Sequence, residues 1–291
     1  MGANLKKVLM IKNNDHMHWV GDGFPVKTIF NYNNLGSEMS PFLMMDYAGP
    51  EDFSPSDHRR GVGVHPHRGF ETVTIVYSGE VEHRDSSGGG GVIGPGDVQW
   101  MTAASGVVHD EFHSENFSRT GGVFEMIQLW VNLPKAYKMS TPRYQSLMSN
   151  LIPQVELDGG RLRVIAGEFN EVRGPAKTFS RVDLWDMFLN EESKLSFSLP
   201  ENHTASLFVL NGKIENHDGQ KVHKNELAVF EWQGAKIQFK ALENSKILFM
   251  GGSPIDEPIV GHGPFVMNSI EEIREAYVDF QNGKMNHLPP P

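Results

Sequence analysis

Val73-Thr-Ile-Val-Tyr77, Ser78-Gly79, Glu80-Val-Glu-His83 reads as a β-branched and aromatic strand, a tight turn and a second, alternating strand. Downstream, Asp85-Ser-Ser-Gly-Gly-Gly-Gly91 reads as a flexible hairpin loop, Val92-Ile93 as a short strand and Gly94-Pro-Gly-Asp97 as a turn. Val123-Phe-Glu-Met-Ile-Gln-Leu-Trp-Val131 is a longer strand, ended by Asn132-Leu-Pro134. Turn signals recur at roughly 8–12 residues, the spacing of an all-β sandwich or barrel rather than of βαβ units. The same hairpin pattern returns at Ala205-Ser-Leu-Phe-Val-Leu210, Asn211-Gly212, Lys213-Ile-Glu215. Two copies of one β-domain are therefore expected. A chain of 291 residues has room for two at roughly 150 residues each.

The expected boundaries are 1–134 for the first domain, 135–153 for a linker and 154–291 for the second. Within the linker, Thr141 is placed to cap a short helix with Pro142 at its first position. One good helix is expected near the C-terminus. Ser269 with Glu272 three residues on forms a capping box, and Gly283 is placed to stop the helix. Ile270, Ile273, Tyr277 and Phe280 follow helical spacing, so this stripe is expected to pack on one of the barrels.

Composition excludes several chemistries. The chain has no cysteine, which removes disulfides, thiolate nucleophiles, Cys-ligated zinc and iron–sulfur clusters together. Any metal must be held by His, Asp and Glu. A net charge of −10 disfavours direct nucleic-acid binding. No apolar run approaches the roughly 18 residues of a membrane span, and Met1-Gly-Ala-Asn-Leu-Lys-Lys7 lacks the apolar stretch of a secretory signal. A soluble cytoplasmic protein is expected, nuclear as well in a eukaryote.

Six of the 13 histidines (His58, His65, His67, His83, His109, His113) fall between positions 58 and 113. In His65-Pro-His67 the two imidazoles share a strand face. If Val108-His-Asp-Glu-Phe-His113 is also extended, His109, Glu111 and His113 share one face and Asp110 turns away. Pairing two such strands brings three imidazoles and a carboxylate to one point, a set suited to a divalent transition metal with one or two open positions. For His113 the preferred reading is a surface or supporting histidine. His58 and His83 read as ordinary polar positions. Glu71, four residues after His67, has three readings: a fifth ligand, a partner of a ligating imidazole, or an ion-pair member with Arg68.

Gly63-Val-His-Pro-His-Arg-Gly-Phe-Glu-Thr72 resembles the first metal motif of the pirin family of the cupin superfamily. Gly94-Pro-Gly-Asp-Val-Gln-Trp-Met-Thr-Ala103 and Gly106-Val-Val-His-Asp-Glu111 resemble its second. Gln128-Leu-Trp-Val-Asn-Leu-Pro134, Pro142-Arg-Tyr-Gln145, Gly252-Ser-Pro-Ile-Asp-Glu-Pro258 and Gly263-Pro-Phe-Val-Met-Asn268 are further pirin-like stretches. The resemblance implies a bicupin of two jelly-roll β-barrels with a short C-terminal helix. It also implies one metal per chain, in the N-terminal barrel, on His65, His67, His109 and Glu111. Iron is the metal expected, with manganese, nickel, cobalt, copper or zinc as alternatives. Two departures stand out. Ala104 and His113 occupy positions where the general cupin motif has Pro and Asn. The C-terminal barrel shows no His-x-His, and His203 stands alone where a pair would be needed, so it is expected to be metal-free.

The function implied is a quercetin 2,3-dioxygenase acting on a flavonol and O2, with Glu111 as catalytic base. Phe53, Trp100 and Met126 are candidates for the substrate pocket, although core packing explains each of them as well. The alternative is a non-enzymatic, metal- or redox-sensing protein that regulates a protein partner, such as a transcription factor or a metabolic enzyme. A monomer is expected, with no membrane or nucleic-acid partner.

Overall fold

Gly79 has a φ of 80°, and this left-handed turn joins the strand Phe70–Ser78 to the strand Val81–Asp85. The computed structural model, which describes residues 4–288, shows that these two strands do not pair. Phe70–Ser78 lies between Val98–Thr102 and Gly122–Asn132 in a seven-stranded sheet, so both of its edges are occupied. The chain therefore turns out of that sheet. Val81–Asp85 joins a four-stranded sheet ordered Gly61–His67, Val107–His113, Val81–Asp85, Gly90–Ile93. Gly212, with a φ of 82°, makes the matching turn between Thr204–Asn211 and Lys213–Asn216, which also belong to a seven- and a four-stranded sheet. The expected hairpins are thus sheet-to-sheet corners. The duplication they signalled is real, and each copy is a two-sheet cupin sandwich.

The copies are not contiguous halves of the sequence. One unit comprises Asp15–Asn34, Phe42–Ser149 and the chain from Ile255 onward; the other comprises the chain up to Asn14, Leu35–Pro41 and Asn150–Pro254. The boundaries 1–134, 135–153 and 154–291 differ from this for a physical reason. Val8–Asn13 completes the edge of the second sandwich by pairing with Glu226–Phe230. Within the expected linker, Arg143–Leu147 is a strand on Val98–Thr102 of the first unit, and Thr141 caps no helix.

The helix Ile270–Gln281 belongs to that first unit and has the Ser269–Glu272 capping box. Ile273 and Ala276 are buried with Val108, Phe265, Met267 and Met285, and Tyr277 packs against this cluster. Ile270 and Phe280 remain exposed, so the buried stripe is narrower than their spacing suggested. The core of the first sandwich is built on Phe24, Val76, Val81, Ile93 and Phe124. That of the second is built on Leu207, Phe197, Ile247 and Trp185 stacked on Phe249. Each large apolar side chain so buried contributes about 1.5–3 kcal/mol.

Candidate metal centre

The strand Gly61–His67 lies at the edge of its four-stranded sheet, where Pro66 removes no ladder donor that a neighbour needs. It pairs antiparallel with Val107–His113, and His65 stands opposite His109. The His65 and His109 ring centroids are 4.2 Å apart; His67 lies 4.9 Å from each of them. One donor nitrogen from each of the three rings lies within 4.8 Å of the other two. His109 and His67 are buried, and His65 faces the opening.

The ring orientations are fixed from behind. His65 Nδ1 bonds to Gly63 O at 2.8 Å and His67 Nδ1 to Pro264 O at 3.2 Å. A carbonyl oxygen only accepts, so each Nδ1 carries the hydrogen and each Nε2 keeps its lone pair. The Lys138 ammonium holds this arrangement in place, donating to Gly69 O at 2.7 Å, Asn132 Oδ1 at 2.7 Å and Val266 O at 3.0 Å. His109 Nδ1 contacts His83 Nδ1 at 3.3 Å, and His109 Nε2 is buried without a hydrogen-bond partner. A buried, unpartnered imidazole nitrogen beside two more lone pairs is a donor set that fits a divalent cation.

Glu111 follows His109 after a shift in the strand register. Its carboxylate falls in a second close group, with His83 and His109. Gln99 Nε2 donates to Glu111 Oε1 at 2.6 Å, and Gln128 Nε2 approaches Oε2 at 3.4 Å. Thr74 Oγ1 donates to Gln128 Oε1 at 2.5 Å and accepts from Gln99 Nε2 at 3.1 Å. The two amides are thereby oriented toward the carboxylate.

Electrostatics favour neutral rings at His67 and His109. Burial, then repulsion from His65, lowers His67 to about 3, and burial likewise holds His109 well below the usual histidine range. For Glu111, burial pushes upward, but the nearby His83, with Nδ1 3.8 Å from Oε1, outweighs it and the carboxyl sits below its ordinary value. For His83, burial pushes downward, and Asp85 and Glu111 outweigh it to raise the ring to about 9.

The centre opens into a cavity of about 310 Å³, lined by His65, His67, Glu111 and Gln128 and walled by Phe24, Val26, Val62, Met44, Met126 and Trp130. Of the three pocket candidates, only Met126 lines it. Trp100 pairs with Val73, whereas Gln99, Thr74 and Gln128 share the cavity-facing side, so Trp100 lies on the opposite face of the sheet. Phe53 packs edge-on against His113 at 4.7 Å.

His113 points away from the other imidazoles. Its Nε2 donates to Gly23 O at 2.9 Å among Phe24, Phe53, Phe117 and Phe124, so it is a core residue rather than a surface one. Glu71 belongs to neither donor group and does not pair with Arg68. Gly69, at φ 91°, turns the chain between His67 and Phe70, and Glu71 then accepts from Thr102 Oγ1 at 2.6 Å. His58 is exposed beside Asp22. In the second unit, His203 supplies its carbonyl to Lys6.

Sequence reasoning missed Asp46, a buried carboxyl on the cavity wall whose Oδ1 accepts from Thr28 at 2.6 Å and whose pKa burial raises. It also placed His83 at an ordinary polar position. The alternation Val81, His83, Asp85 on the buried face of one strand was the available signal.

The chain matches the pirin family over residues 23–131 and the pirin C-terminal cupin domain over residues 184–286. It is 54% identical over 282 residues to a Pseudomonas aeruginosa protein named "Putative quercetin 2,3-dioxygenase", covering 96% of this chain and 98% of that one. A crystal structure of quercetin 2,3-dioxygenase from Acinetobacter baumannii superposes with a TM-score of 0.95 at 50% identity, covering 98% of this chain and all of that one (100%). The bacterial pirin YhhW from Escherichia coli, solved with nickel(II), shares the fold at a TM-score of 0.65 and 19% identity, over 84% of this chain and 99% of that one.

Proposed function

This chain belongs to the pirin family, and on that premise we propose that it is a metal-dependent dioxygenase that opens flavonols of the quercetin type. The observation that carries the reading is the convergence of His65, His67 and His109, the first two of which line a cavity with largely apolar walls. At about 310 Å³ it lies at the small end of the roughly 300–1,000 Å³ typical of small-molecule sites, room for one planar aromatic ligand.

In this reading His65, His67, His109 and Glu111 hold one divalent metal, iron being the first choice. Once bound, the metal supplies a Lewis acid that lowers the pKa of the substrate 3-hydroxyl. Phe24, Val26, Met126 and Trp130 receive the flavonol rings and exclude water. Glu111, held by Gln99 on one oxygen, takes the 3-hydroxyl proton at Oε2. The resulting electron-rich enolate is oxidised by O2: both oxygen atoms enter the product, the C2–C3 and C3–C4 bonds break, carbon 3 leaves as carbon monoxide and the heterocycle opens.

Oxygen uptake with a flavonol panel tests this. Protein loaded with iron, manganese, nickel or copper should consume O2 faster than the free ion with at least one flavonol. No uptake above free ion in any of the four forms contradicts the proposal.

A further inference from the structure

Behind His109 the buried side chains form a continuous polar line. His109 Nδ1 meets His83 Nδ1 at 3.3 Å, and His83 Nε2 meets Asp85 Oδ2 at 3.1 Å. None of the three is solvent-exposed. The other Asp85 oxygen, Oδ1, accepts from Ser87 N at 2.8 Å and Gly89 N at 3.0 Å, both in the glycine-rich loop. Tyr144 stacks on the His83 ring at 5.1 Å and 15°. The loop must be glycine at position 89: a Cβ there would meet Asp85 Oδ2 and Tyr144 Cβ, each at 2.4 Å. Hence the loop is shaped around the Asp85 carboxylate, rather than being a flexible connection.

We infer that His83 is a positioning residue for the metal centre, anchored by Asp85, which fixes His109 in the tautomer and orientation that present Nε2 as a ligand. The inference rests on the metal reading above. A lone pair at His109 Nε2 requires the ring hydrogen at Nδ1, so His109 donates and His83 Nδ1 accepts across the 3.3 Å contact. His83 then carries its own hydrogen at Nε2, where only a carboxylate faces it. Asp85 accepts that hydrogen and fixes the direction of the whole line. His83 also forms a group with His109 and Glu111 whose donor atoms lie within 4.8 Å of one another. Its Nε2 faces Asp85, and its Nδ1 lies nearer to His109 Nδ1, at 3.3 Å, than to Glu111 Oε1, at 3.8 Å, which assigns it to support rather than to coordination.

Cobalt(II)-loaded full-length protein tests this by proton NMR, with cobalt affinity measured alongside. The paramagnetic ion shifts the ring N–H of each ligating histidine far downfield. Three shifted, exchangeable signals are expected, and His109→Ala should remove the one slowest to exchange. In His83→Leu that signal should broaden or vanish through exchange with water, and cobalt affinity should fall about 10–100-fold. His83→Asn, whose amide oxygen can replace Nδ1 as acceptor, should restore much of both. Asp85→Asn and Gly89→Ala disturb the line from farther away and should lower affinity in the same direction.

Three shifted signals unchanged in His83→Leu, with unchanged affinity, would overturn the positioning role while leaving the metal reading intact. A stoichiometry of two cobalt ions per chain would overturn it too, by making His83 a ligand. Absence of any shifted imidazole signal would refute the metal reading itself.

Discussion

Arg68 Nη1 donates to Asp279 Oδ2 at 2.9 Å, joining the residue after His67 to the last turn of the C-terminal helix, with both side chains buried. Arg68 Nε also donates to Ser105 O at 2.6 Å. The turn that follows His67 is thereby tied to two distant parts of its unit. Removing one partner of a buried ion pair leaves the other charge poorly solvated. Arg68→Met should cost about 3 kcal/mol, the low end of the range, because Lys284 still faces Asp279 at 2.7 Å. Urea denaturation of the apo protein checks this through the midpoint, and an unshifted midpoint refutes it.

Glu71 gives a pH signature separate from the metal centre. Burial raises its carboxyl from 4.5 to about 7, against the pull of the Thr102 hydrogen bond and the Arg143 charge. Between those two values the folded chain keeps a proton that the unfolded chain has released. The Glu71 contribution to stability therefore falls as pH rises through about 4.5–7 and is level above it. Glu71→Gln should be relatively more stable than the parent at pH 8 than at pH 5, measured by urea midpoints. Parallel pH profiles for the two proteins would contradict this.

Half of the imidazole cluster was legible because His65 and His67 sit on an edge strand of period two, where they share a face by geometry alone. The strand segments and the duplication were legible for the same local reason. Partner choice was not. Ser78-Gly79 specifies a tight turn, but whether the next strand pairs or leaves the sheet depends on Val98–Thr102 and Gly122–Asn132 occupying both edges of Phe70–Ser78. Glu71 was misjudged because Gly69 resets the chain direction after His67. Pro264, 197 residues beyond His67, and Asp279, 211 beyond Arg68, act through tertiary contacts that no local pattern records.

Glu111→Gln separates proton transfer from binding. The amide keeps the side chain's shape and one acceptor oxygen but cannot take the substrate proton. Flavonol kcat should fall by about 10²–10⁴, with KM changing far less. Steady-state oxygen uptake checks this. A variant that keeps full kcat would remove Glu111 from the role of base.

His65→Ala and His109→Ala should each lose most of the bound metal while remaining folded, because the sandwich core supplies the stability. Elemental analysis after desalting, with circular dichroism as the control for folding, gives both readings. Unchanged metal content in both variants would refute the assignment of these side chains as ligands.

The most direct test of the central claim is anomalous diffraction at the absorption edge of the bound metal, on crystals of the loaded protein. One strong peak per chain is predicted, about 2.0–2.2 Å from the ring nitrogens of His65, His67 and His109. A loaded crystal with no peak among these three imidazoles, or with its peak elsewhere in the chain, would contradict the account.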